Sequence, residues 1–172
     1  MREAMFTLGR EGKRYLERQG GTAVGLERRP PKQCEHLLGI NDLRIAAEAS
    51  GALEYFFASW ELPGVGWRHP VIPDAVFCVG KRTFAAEYDR GLETLRYFVR
   101  TKIAVYARGL QDFPLTAVVV VADRSVRMKS LARSITGARV TVFFTTIDLV
   151  RDRGILAPIF YRHPDGRAET IV

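Results

Sequence analysis

Asp74, Glu87, Asp89 and Lys102 are the residues of this chain whose types and spacing could do chemistry together. Asp74 follows Pro73 and opens the apolar run Asp74-Ala-Val-Phe-Cys-Val79. Gly80-Lys81-Arg82 separates that run from Thr83-Phe-Ala-Ala-Glu-Tyr-Asp89. The two runs read as the strands of a hairpin. Glu87 and Asp89, two apart on a strand, project from the same face. A hairpin that brings Asp74 near them gathers three carboxylates at one end of a sheet, where they repel unless neutralised. A hard divalent cation, Mg²⁺ or Mn²⁺, held by carboxylate oxygens and water, neutralises them. Such an ion can activate a water and stabilise charge building on a phosphodiester. Lys102 lies at the edge of the apolar stripe of the next helix, one turn before Tyr106. Its stem can carry the ammonium toward the carboxylates, to polarise the attacked phosphate or orient the water. Taken alone, each residue has a plainer reading. Asp74 could be a strand-entry residue, Glu87 and Asp89 could line an exposed edge hairpin, and Lys102 could snorkel to solvent.

The elements that must hold these residues follow from periodicity. A helix is expected from about Cys34 to Phe57, with His36, Ile40, Leu43, Ala47, Ser50 and Glu54 on one face. A Gly- and Pro-rich loop from Trp60 to Pro73 leads into the hairpin. Arg90-Gly91 ends the second strand, and a helix from Leu92 to Gly109 carries the stripe Leu95, Val99, Ile103, Tyr106 and Leu110. Leu115 to Ala122 reads as a central strand buried on both faces. A basic helix from about Val126 to Ile135 and a second buried strand, Val140 to Thr146, complete the pattern. The order is αββαβαβ, which predicts an α/β domain with a mixed central sheet and flanking helices. Ahead of it, Met5-Phe6-Thr7 reads as a short strand and Glu11 to Gln19 as a small helix. Gly20-Gly21 and the stretch Arg28-Arg29-Pro30-Pro31 then mark a linker. An N-terminal appendage of residues 1–30 and a main domain of residues 31–172 are expected.

The chain has 172 residues, 47% of them hydrophobic, which is ample material for one core. Its longest strongly apolar run, Leu115 to Ala122, is far shorter than a membrane helix requires. With no apolar leader near Met1, a cytoplasmic protein is the expectation. Cys34 and Cys78 are too few and too far apart for a disulfide framework or a zinc knuckle. No Gly-rich phosphate loop follows a strand and no serine sits in a nucleophile elbow, which argues against a nucleotide-binding domain and a serine hydrolase. The formal charge of +7 permits a nucleic-acid partner. Arg124, Arg127, Lys129, Arg133 and Arg139 form the densest basic segment, with no acid among them. Arg28, Arg29 and Lys32 are a second candidate for phosphate contacts. A solvated helix face is the equal alternative.

These residues carry a resemblance. Pro73-Asp74 and Glu87-Tyr88-Asp89 resemble the motif pair of the PD-(D/E)XK, restriction-endonuclease-like nucleases. More closely, three segments in order resemble the replication-relaxation family of plasmid and mobile-element proteins: Ile72-Pro-Asp-Ala-Val-Phe77, Ala86-Glu-Tyr-Asp-Arg-Gly91 and Lys102-Ile-Ala-Val-Tyr106. His36-Leu-Leu-Gly-Ile-Asn-Asp-Leu-Arg44 is similar to the helix that opens that family's core, with His36 and Asp42 on its pattern. The resemblance implies a restriction-endonuclease-like fold and a role in plasmid or mobile-element replication and relaxation. DNA and replication proteins are the implied partners. By the same resemblance Asp74 and Glu87 are metal ligands, Asp89 is a third ligand or a supporting acid, and Lys102 is the charge stabiliser. A metal-dependent nickase or endonuclease using Mg²⁺ or Mn²⁺ is one outcome. A nuclease-like module that binds DNA or a replication partner without cutting is the other, since Asp89 stands where active nucleases carry lysine. Met5 to Leu16 resembles the last wing strand and final helix of a winged-helix module, without the recognition helix before it.

Overall fold

In the computed structural model, the described residues are 14–15, 18–19, 34–109, 115–136 and 139–171. The chain divides into two compact units, Met1–Leu37 and Leu38–Val172. In the first, Arg14, Tyr15 and Arg18 are helical, and the Gln19 amide donates to the Tyr15 carbonyl at 3.1 Å. The expected strand at residues 5–7 and the cations Arg28, Arg29 and Lys32 lie outside the described residues.

The second unit is built on a seven-stranded mixed sheet whose strands lie side by side in chain order. Helix α1 (Cys34–Ala49) precedes β1 (Leu53–Ala58), β2 (Ala75–Val79) and β3 (Arg82–Asp89), an antiparallel meander. A helical segment, α2, made of Leu95–Tyr97, Phe98–Ile103 and Ala104–Gly109, crosses to β4 (Ala117–Ala122), which pairs parallel with β3. Helix α3 (Ser125–Ser134) then leads to β5 (Val142–Thr146), parallel to β4. Helix α4 (Ile147–Arg153) and the short antiparallel strands β6 (Phe160–Arg162) and β7 (Ala168–Glu169) finish the sheet.

The mixed α/β architecture agrees with the sequence, but the order αββαβαβ is corrected at several places. The helix expected to run to Phe57 stops at Ala49, and Leu53–Ala58 is an edge strand. Gly51, at φ +67°, takes the left-handed conformation that ends helices cheaply. The aromatic run Tyr55-Phe56-Phe57 beyond it suits a pleated surface better than a helix. Helix α4 and strands β6 and β7 were likewise not anticipated, because the apolar signal after Thr146 is short and broken.

The sheet has a core on each face. On one side Ile40, Leu43 and Ala47 of α1 pack with Phe77, Phe84, Val119 and Phe143. On the other, Phe98, Ile103 and Tyr106 of α2 and Met128 and Leu131 of α3 pack with Ala85, Val118, Val120 and Phe144. Strands β4 and β5 are buried along their whole length, as strands covered by helices on both faces must be. Strict alternation along β3 therefore sends Tyr88 toward α1 and Glu87 and Asp89 toward α2 and α3. Gly39 of α1 lies so close to the Tyr88 ring that a methyl group there would overlap it.

Candidate functional site

The hairpin register places Ala75 opposite Ala86, so one step further along the antiparallel ladder Asp74 faces Glu87. Directly opposite residues of such a pair have their Cβ atoms about 5 Å apart. Asp74 is further fixed by its Oδ2, which accepts the Tyr88 amide at 2.8 Å. Glu87 is only 1% exposed, and a bare carboxylate at that depth is costly unless its oxygens are bonded. Both are. The Lys102 ammonium donates to Oε2 at 2.8 Å and the Tyr106 hydroxyl donates to Oε1 at 2.6 Å.

Lys102 and Tyr106 arrive together because of how α2 is wound. It comprises Leu95–Tyr97, a π-helical stretch Phe98–Ile103 and Ala104–Gly109. Thr94 caps its start, accepting the Tyr97 amide at 3.2 Å. The π-helical stretch, a feature common at functional sites, lets Phe98, Lys102, Ile103 and Tyr106 all address the sheet. Lys102 stays partly open, at 23% side-chain exposure, with its ammonium 3.7 Å from Glu93.

Burial pushes the Glu87 carboxyl up to about 7, and the Asp74 charge opposite adds to the rise. The Lys102 ammonium and the two hydrogen bonds pull in the other direction without cancelling it. The Lys102 ammonium is desolvated, yet the facing Glu87, with Asp74 and Glu93 behind it, raises its affinity for the proton. Tyr106 is held firmly protonated by burial and by the Glu87 charge its hydroxyl contacts. The cluster therefore has one carboxylate poised near neutrality and one permanent cation at its mouth.

Asp89 does not join this pair, which corrects the expectation of three converging carboxylates. Its two oxygens accept a bidentate pair from Arg127, at 2.8 and 2.9 Å, and Oδ1 also accepts the Gly91 amide at 2.6 Å. Arg127 further donates to the Glu93 carbonyl at 2.6 Å. Arg127 is thus engaged within the protein, unlike the other cations expected to face DNA. Among the described residues no group of three or more His, Cys, Asp or Glu side chains is arranged to hold a metal. Arg124 at the N-cap of α3, Lys129 and Arg133 on it and Arg139 after it are exposed, with Arg124 3.7 Å from Asp123.

Two participants escaped the sequence. Tyr106 reads there as a member of an apolar stripe, although a fully buried tyrosine hydroxyl needs a polar partner, and that need is the available clue. His69, in the loop before β2, stacks on the Tyr106 ring at 5.6 Å and 20°. Its Nδ1 accepts the Val71 amide at 3.1 Å, while its buried Nε2 has no hydrogen-bond partner among the described residues. His36 lies in α1, and Asp42 is bonded to Arg151 of α4.

The family model described as replication-relaxation matches residues 1–113, about two thirds of the chain. The match includes Asp74, Glu87, Asp89, Lys102 and Tyr106. No curated protein and no solved structure matches the chain, and no helix among the described residues is long and apolar enough to cross a membrane. A model match of this extent identifies the chain as a member of the replication-relaxation family.

Proposed function

We propose that this chain is a DNA-processing protein of plasmid or mobile-element replication, with a PD-(D/E)XK-like core that hydrolyses phosphodiester bonds with Mg²⁺ or Mn²⁺. The observation that carries this reading is the facing pair Asp74 and Glu87 with the Lys102 ammonium 2.8 Å from Glu87. The donor set fits a small hard cation. Mg²⁺ keeps several waters and is usually held by one or two carboxylates together with substrate phosphates. Two like charges held opposite each other, one forced toward neutrality, are the imbalance that such an ion offsets. Asp74 and Glu87 would hold it, and when bound it would supply an activated water and a Lewis acid for the phosphate.

This chain's own residues do the positioning. Lys102 has three N–H groups and commits one to Glu87, leaving donors for an oxygen of the attacked phosphate. Tyr106 fixes the Glu87 rotamer from behind, and the Tyr88 amide does the same for Asp74. Asp89 and Arg127 serve as a clamp that holds α3 to the end of β3.

A second reading, a module that binds DNA or a replication partner without cutting, is favoured by one feature. Asp89 occupies the position where active nucleases carry lysine, and here it is fully engaged by Arg127. Incubation with supercoiled plasmid and Mg²⁺ or Mn²⁺ separates the two. Catalysis predicts open-circular or linear DNA from wild type, and none from Asp74→Ala or Glu87→Gln. Lys102→Ala should slow cutting by a hundredfold or more, the usual loss for one charge stabiliser. Intact plasmid in every tube, with a gel shift that weakens as salt rises, would overturn catalysis and leave the binding module.

A further inference from the structure

A cavity of about 840 Å³ opens between α3, the end of β5, the start of α4 and the segment from β6 to Gly166. That volume falls within the ordinary range for ligand pockets, about 300–1,000 Å³. It lies on the Glu87 face of the sheet. The register runs Glu87, Val120, Phe144, Tyr161 across four adjacent strands, so those side chains share one face. Its floor is apolar and aromatic, with Met128, Phe144 and the half-buried Tyr161. An edge-to-face contact at 6.4 Å and 75° props His163 against Phe144.

The rim is cationic. Lys129 and Arg133 stand four apart on α3, hence on one face of that helix, and Arg162 enters from β6. Lys129 and Arg133 make no ion pair or side-chain hydrogen bond among the described residues, whereas Arg162 lies 4.0 Å from Glu169. Among the described lining residues the one acid, Asp148, sits 3.8 Å from Arg151. An aromatic floor beside cations such as Lys129 and Arg133 is the pairing that proteins use for unpaired nucleotides: bases stack while phosphates meet basic side chains.

We propose that this cavity binds an unpaired nucleotide of a DNA strand, with the base on Tyr161 and the flanking phosphate on Lys129 and Arg133. The assignment rests on the DNA-processing reading above and gives it a substrate preference. A strand held here lies on the same sheet face as Asp74 and Glu87, separated from them by the width of β4 and β5.

The test is fluorescence anisotropy of the full chain with a labelled twelve-nucleotide single strand and with the matching duplex, without divalent cation. Wild type should bind the single strand more tightly. Loss of one base–aromatic stack corresponds to roughly 1–3 kcal/mol. Tyr161→Ala should therefore weaken single-strand binding about tenfold or more and spare the duplex, while Tyr161→Phe, which keeps the ring, retains affinity. Lys129→Ala with Arg133→Ala should flatten the salt dependence. Equal single-strand affinity in wild type and Tyr161→Ala would overturn the pocket assignment, with duplex binding still supporting the DNA reading. Displacement of the strand by decanoate but not by dTMP would also overturn it, in favour of an anionic amphiphile. Binding of neither DNA would overturn the DNA reading and this inference together.

Discussion

Glu87 is the residue on which the site turns, because it carries two opposed demands. Burial favours the neutral acid, while Lys102 and Tyr106 are arranged for the carboxylate. The folded protein holds the Glu87 proton up to about 7, whereas the unfolded chain releases it near 4.5. Between those values the folded state binds more protons than the unfolded one, so stability must fall as pH rises through that window. The stabilisation is complete below pH 4.5 and gone above 7, and its ceiling is about 3 kcal/mol. Urea unfolding at pH 4.5 and 7.5, without divalent cations, should show wild type losing more stability than Glu87→Gln across the interval. A Glu87→Gln profile parallel to wild type would contradict the assignment. This behaviour was only partly legible in the sequence. Period-two spacing shows that Glu87 and Asp89 share a face, but it cannot show that one meets a lysine and the other an arginine. That division depends on which helix covers each end of β3.

Two elements, α2 and α3, decide it. Helix α3 is fastened to β3 through Arg127, whose fork matches the Asp89 carboxylate while both are nearly buried, at 18% and 3% side-chain exposure. Removing one partner of such a pair strands the other charge, at a cost of about 3–5 kcal/mol. Arg127→Ala should therefore destabilise the protein by that amount in chemical unfolding. Arg127→Lys, which cannot reproduce the fork, should recover only part of it. Full stability in Arg127→Ala would show that Asp89 is satisfied by the Gly91 amide alone. The central elements β2, β3, β4, β5 and α3 were legible because their apolar runs are continuous or strictly periodic. Strand β1 was not, since Ala46, Ala47 and Ala49 extend a helical rhythm up to Gly51 and mask the change of period beyond it. Nor does the stripe Leu95, Val99, Ile103, Tyr106 reveal the π-helical stretch, which adjusts the winding so that Lys102 and Tyr106 reach the same carboxylate.

At the scale of the whole molecule, one face of the sheet carries both the carboxylate pair and the basic-rimmed cavity, while the other is closed by α1. The net charge of +7 suits a polyanionic partner. The long-range order of Asp74, Glu87 and Lys102 along the chain made the site legible, whereas the cavity was not, because its walls come from segments between Ser125 and Gly166 whose spacing carries no pattern. The proposed function stands or falls with Asp74 and Glu87 as a cation site. Calorimetric titration of the full chain with Mn²⁺ at pH 8, where Glu87 is ionised, tests that most directly. The account predicts saturable binding of one ion per chain, abolished in both Asp74→Asn and Glu87→Gln and retained in Asp89→Asn. Binding that survives in Asp74→Asn and Glu87→Gln, or no binding by wild type, would contradict it.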